Sequence, residues 1–204
     1  MANWASSSYV IEGPAKTLKK IYKAIKHPVV QEKSSEDWEG NVLLTLGITW
    51  EHYASTITEN NEIKAKGYYL RGFIQEYNLE NNTIRINAEE AWGLTDFQKL
   101  LKQAFPDIKI YWITEEEGGE VYCTNDKEGK YFPERYYVDI CIDDKYNSEY
   151  FETEEQVYEW LSRLTNGAIN NEKDAMQFKE KHKENNTDYE NWIHIYKYNV
   201  IEDE

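Results

Sequence analysis

"LTDFQKLLKQAFPDIKIYWIT", residues 94–114, runs a helix straight into a strand, and its reading decides the fold. Thr95 stands at a helix start with Gln98 three residues on, the spacing of a capping box. Phe97, Leu100, Leu101, Ala104 and Phe105 make one apolar stripe at helical spacing, and Pro106 stops it. Ile108, Ile110 and Trp112 then alternate with Lys109, Tyr111 and Ile113, the period of a strand.

Working toward the N-terminus, "TIRINA" puts Ile84, Ile86 and Ala88 on one face and Arg85 and Asn87 on the other. It forms a hairpin with "GYYLRGFIQEY", residues 67–77, across the polar turn "NLENN". A strand from Ser7 to Glu12 opens the chain. Gly13-Pro14 ends it and starts a helix with Leu18, Ile21, Tyr22 and Ile25 on one side. Residues 29–66 read as an insertion that packs a small helix, with Val42, Leu43, Leu46 and Ile48, on the body. The order β-α-[insert]-β-β-α-β predicts an α+β fold of the ferredoxin-like (split βαβ) type, an antiparallel sheet with both helices on one face.

Toward the C-terminus, "EVYCTN" and "RYYVDICID" flank the "DKEGKYFPE" turn and are expected to extend that sheet. "TEEQVYEWLSRLTNG" is a capped helix, with Thr153 and Gln156 as the box, Val157, Trp160, Leu161 and Leu164 as the stripe and Gly167 as the stop. A helix without a clean stripe follows over Glu172–Lys183, then the strand-like "NWIHIYKYNVI". The expectation is one domain over 1–204, with 168–204 as a C-terminal extension packed on the core.

The chain has 204 residues, 40% hydrophobic, with 17 tyrosines and 7 tryptophans, which excludes a disordered chain. Its net charge of −15 repels phosphate backbones and anionic lipid. Basic or nucleic-acid-handling proteins are therefore the expected partners, and the acidic surface could take the place of nucleic acid in a basic groove. No stretch of 18 apolar residues occurs. "MANWASSSYV" has neither a basic region nor an apolar run, so a cytoplasmic location is expected. Cys123 and Cys141 are too few for a disulfide framework and are expected to be reduced.

Two stretches, "NWASSSYVIEGP" and "EEAWGLTDFQKLLKQAFPDIKIYWITEEEGG", resemble the YubB-like family of phage, plasmid and mobile-element proteins. The matching residues are Asn3, Trp4, Ala91, Trp92, Phe105, Pro106, Asp107, Glu116 or Glu117, and Gly118. Ala5 stands where that family has a cysteine. The resemblance implies a ferredoxin-like domain and a mobile-element origin. It implies no reaction, since the family has no assigned activity.

The residues that carry chemistry in known motifs are sparse. Glu115, Glu116, Glu117 and Glu120 form an acidic cluster at a strand end beside Gly118-Gly119. Successive side chains of a strand point to opposite sides, so at most two of them converge, and a solvated hairpin end is the expectation. Gly118 and Gly119 are expected to supply positive φ there. Asp139 and Asp143 lie four apart on a strand, roughly 13 Å, too far for one metal. His27, His52, His182 and His194 lack metal-ligand spacing. No metal, cofactor or catalytic set is therefore expected. The second face of the sheet is richer: Tyr69, Arg71, Phe73 and Tyr77 alternate along one strand, with Arg85 and Tyr111 beside them. Tyr and Arg are common interface anchors, and aromatic sheet faces also stack bases. The leading expectation is a non-catalytic acidic protein-interaction module. The alternative is single-stranded nucleic-acid binding through this aromatic face.

Overall fold

Alternating apolar residues drive the first strands together. β1 (Trp4–Glu12) is the centre of the first sheet, flanked by β5 (Thr83–Ala91) and β6 (Lys109–Glu116). β4 (Gly72–Glu80) lies outside β5 and β7 (Val121–Thr124) outside β6, in the order β7-β6-β1-β5-β4. Every one of these pairings is antiparallel. The computed structural model describes residues 3–32, 34–57, 63–183 and 191–202, which form two compact units, 1–125 and 126–204. The first five residues of the polar "TENNEIK" stretch, 58–62, and residues 184–190 of the tail lie outside the described residues.

In the first unit, one face of the sheet carries Tyr9, Ile11, Ile84, Ile86, Ile110 and Trp112. α1 (Ala15–Lys26) packs on it with Leu18, Ile21 and Ile25, and α3 (Phe97–Ala104) with Phe97, Leu100 and Leu101. Each fully buried side chain of this size stabilises by about 1.5–3 kcal/mol relative to exposure. α2 (Glu39–Thr45) adds Val42 and Leu43 to the same core. The insertion also holds a hairpin, β2 (Ala54–Ile57) with β3 (Ile63–Lys66), which its polar composition concealed.

Three local expectations are corrected. The strand expected from residue 67 begins at Gly72. Tyr69 uses its N–H and C=O on Asp96, 2.8 Å each, so this backbone is committed to the start of α3. The register of β4 against β5 shifts between Ile74 and Glu76, leaving Gln75 as a bulge. Tyr77 therefore lies opposite Ile86 on the helix-covered face and meets Tyr22 at 5.8 Å, away from the Phe73 side. The capping box expected at Thr95 and Gln98 is also absent. α3 starts after Asp96, and the Thr95 hydroxyl is engaged by buried carboxyls.

The second unit has its own sheet. β8 (Tyr136–Ile142) lies between β9 (Lys145–Phe151) and β10 (Trp192–Lys197), both antiparallel to it. The expectation that these strands would extend the first sheet is thus corrected, although β7 does join it. α4 (Glu154–Leu164) and α5 (Glu172–Lys183) cover one face, where Val138, Ile140, Val157, Leu161, Ile169 and Ile193 are buried together. α4 carries the expected Thr153–Gln156 capping box, and Gly167, at φ +85°, lies just beyond its end. Ile169, Ala175 and Ile193, from the C-terminal stretch, thus complete the core of this unit. Among the described residues, no helix is long and apolar enough to cross a membrane. Cys123, on β7, and Cys141, on β8, are thiols rather than halves of a disulfide.

Candidate functional site

Residues from four separate stretches meet at one end of the first sheet. Trp4 lies opposite Ala91 across the β1–β5 ladder, and the Trp92 N–H donates to the Asn3 carbonyl at 2.8 Å. The Ala91 N–H donates to the Arg71 carbonyl at 3.0 Å, bringing the segment before β4 alongside. The Arg71 guanidinium then lies 5.6 Å from the Trp4 ring and 5.1 Å from the Trp92 ring. Both distances fall within cation–π range. Phe73 meets Trp4 at 5.7 Å, and Tyr69 meets Trp92 at 6.5 Å and Tyr53 at 6.0 Å. Trp4 is 44% exposed and Trp92 56%, so two large rings and a guanidinium face water together.

Trp92 is held in an unusual backbone conformation, φ +60°, where a bulky side chain is rare. Gly93 follows at φ +113° and completes the chain reversal into the Leu94–Asp96 turn. The Asn3 hydrogen bond and the β1–β5 ladder hold this geometry, and the result is an indole projected outward.

Of the residues expected to share an interaction face, Tyr69, Arg71 and Phe73 join this cluster. Arg85 and Tyr111 lie elsewhere on the same side of the sheet, both opposite Val10. Tyr77 is on the other side because of the bulge. The acidic cluster divides as well. Glu116 is buried, and its carboxylate accepts the Gly118 and Gly119 N–H groups at 2.7 and 2.6 Å. Glu117 and Glu120 are exposed and Glu115 is half-buried. The expectation of positive φ at the two glycines is corrected. The positive φ, +53°, falls on Glu120, whereas a Cβ on Gly118 would crowd Asn3 and Glu116 and one on Gly119 would crowd Glu116. Glu116 is therefore the carboxylate that organises this turn.

Directly beneath the Arg71–Trp92 cluster lies a second group that sequence reasoning missed. Glu39 and Glu90 are both fully buried. The Thr95 hydroxyl lies 2.7 Å from Glu39 Oε2 and 2.8 Å from Glu90 Oε1, and the Tyr9 hydroxyl donates to Glu90 Oε1 at 2.5 Å. Burial, then the Glu90 charge, holds the Glu39 carboxyl well above the usual carboxylate range. Burial and the same two carboxyls raise the Tyr9 phenol. A Cβ on Gly72 would overlap the Glu39 carboxyl, so this position admits glycine. The sequence did hold a signal: Glu90 continues the series Ile84, Ile86, Ala88 on the buried side of its strand.

The second unit also carries an aromatic face. Opposite its helices, Tyr137, Tyr150 and Tyr196 form one row across the sheet, and Trp192 and Tyr146 lie in another around Cys141. Tyr137 meets Tyr150 at 4.8 Å and Tyr196 at 6.1 Å, and Trp192 meets His194 at 5.0 Å. His194 Nδ1 is 3.4 Å from Asp139 Oδ1. Asp139 occupies the middle position between His194 and Ser148, so the row lacks the Ser–His–Asp order that activates a hydroxyl. A groove of about 420 Å³ in the first unit, bounded by Ile25, Pro28, Asp37, Val42, Ile74 and Tyr77, is separate from both acidic groups described above. Among the described residues, no three or more His, Cys, Asp or Glu side chains gather as a metal site.

No family model, curated protein or solved structure matches the chain.

Proposed function

We propose that the chain is an acidic protein-interaction module that docks a basic protein segment on the Trp4–Arg71–Trp92 cluster. The observation that carries this reading is the exposed Trp92, held at a strained φ and stacked with Arg71. Strained conformations persist where surrounding structure enforces them, and they concentrate at functional sites. Trp, Tyr and Arg are the residues that dominate binding hot spots. Glu89, exposed and directly opposite Phe73, and Glu115, opposite Ser6, give the cluster an acidic flank that suits a basic partner. The strand order β6-β1-β5-β4 with α1 and α3 on one face supports reading the first unit as ferredoxin-like. Placement in the YubB-like group, with a mobile-element origin and a cytoplasmic setting, is part of the same proposal and rests on the motif residues quoted above.

The test is affinity capture from a nuclease-treated host lysate with the wild-type chain, Trp92→Gly and Arg71→Ala. A basic protein retained by the wild type and lost from both variants supports the reading. Equal capture by all three overturns the cluster as the docking surface. The aromatic rows of the second unit favour a second reading, single-strand binding by base stacking. It ranks second because residues 126–204 carry twenty acidic and ten basic side chains, which repel a phosphate backbone. Saturable quenching of tryptophan fluorescence by an oligothymidine would reverse that order.

A further inference from the structure

The buried Glu39–Glu90 pair fixes a count of hydrogens. Three oxygen–oxygen contacts join Tyr9, Thr95, Glu39 and Glu90, but the two hydroxyls supply only two hydrogens. The Thr95 N–H also reaches Glu90 Oε1, at 3.3 Å, but without a third hydrogen on a carboxyl the single Thr95 hydroxyl hydrogen is divided between two carboxylates. The remaining oxygens, Glu39 Oε1 and Glu90 Oε2, are buried and meet no donor among the described residues, which is costly for two carboxylates and less so when Glu39 keeps its proton.

We infer that one proton on the Glu39 carboxyl, held beside Glu90 and Thr95, latches the corner that presents Arg71 and Trp92, and that its loss opens the corner. The inference names a regulation of the proposed docking surface and rests on that reading for its functional meaning. Four segments meet at the latch. β1 supplies Tyr9, α2 supplies Glu39, β5 supplies Glu90 and the turn before α3 supplies Thr95. β4 brings Gly72, without charge, against the Glu39 carboxyl, and among the described residues no lysine or arginine bears on that carboxyl; Tyr69, which contacts Arg71, feels the Glu90 charge. Of nearby charges, Arg71 is stacked on the two indoles, and Asp96 is held by Lys99 at 2.7 Å. Removing the proton therefore leaves two buried carboxylates around one hydroxyl, with no cation against Glu39 among the described residues. The cheapest relief is separation of α2 and the 69–73 segment from β5. Arg71 is adjacent to Gly72 and Trp92 is two residues from Glu90, so that motion disperses the cluster.

Glu39 is held above its ordinary range, so the stabilisation is complete below the unfolded carboxyl pKa and is lost as pH rises through the raised one. The test is amide exchange from pH 5 to 9 on the full chain, comparing residues 37–43, 69–74 and 90–96 with α4 as an internal reference. In the wild type, opening of the corner relative to α4 should rise with pH, approaching tenfold per unit above the unfolded carboxyl pKa until the raised value is passed. In Glu39→Gln, which keeps a donor and has no proton to lose, the ratio should be flat. Glu39→Met, which also has no proton to lose, serves the same comparison if the first variant does not fold. Parallel profiles in wild type and variant overturn the inference. So does a corner that tightens on adding Ca²⁺ or Mg²⁺ and loosens with chelator at constant pH, since a cation would then replace the proton. Failure of the docking reading shows separately, as capture that Trp92→Gly leaves intact while the exchange profile still titrates.

Discussion

At the scale of single residues, Trp92 sets conformational cost against exposure. A bulky side chain at positive φ costs about 1–2 kcal/mol, a cost that glycine avoids. Its ring is more than half exposed, so its burial returns little of that. Trp92→Gly should therefore stay within about 1 kcal/mol of wild-type stability in urea unfolding, because strain relief offsets lost stacking on Arg71. A loss of 3 kcal/mol or more would mean that the indole is structural. Gly72→Ala should behave oppositely. The added methyl overlaps Glu39, and a core overpacked in this way loses about 1–3 kcal/mol. Little of this was legible beforehand. Ala91 and Trp92 stand out in the sequence only through a family likeness, and positive φ at a tryptophan has no composition signal.

At the scale of elements, sequence reading succeeded where one stripe or one cap dominates. α4 is such a case. Its Thr153 hydroxyl accepts the Gln156 N–H while the Gln156 side chain accepts the Thr153 N–H at 3.2 Å. Thr153→Ala should lower the stability of the second unit by about 1 kcal/mol, read as a shift of its urea midpoint. An unchanged midpoint would remove the cap from its list of supports. The reading failed where one inserted residue changes the parity of a strand. Gln75 breaks the alternation in β4, so Tyr77 and Phe73 part company although both are odd-numbered on one strand. It failed also where long-range chemistry outbids a local cap, as at Thr95.

At the scale of the whole molecule, the two apolar clusters share no member, and each has its own sheet and helices. Residues 1–125 and 126–204 should therefore each fold when expressed alone, with cooperative unfolding transitions as the measure. A fragment that lacks a transition would show that its core needs the other half. The element order legible in the sequence did fix the four-strand core with its two helices. The second sheet was missed because β8 and β9 are followed by a capped helix, a pattern that fits an extension of one sheet as well as a new one. The charge divides unequally: the first 125 residues hold 18 acidic and 13 basic side chains, so the excess negative charge is concentrated in the second unit.

The bridge between Trp38 and Phe73 has a bearing on self-association. β4 is the outer strand at one end of the first sheet, and such edges invite strand addition by another chain. Over its first half that invitation is withdrawn: Trp38 bridges Phe73, and the Ile74 N–H donates to the Asp37 carbonyl at 2.9 Å. Over its second half the bulge and the exposed Glu76 and Glu80 take over, because a second copy would bring the same negative charges alongside. This edge can thus sit beside two bare indoles without offering a template for fibrils.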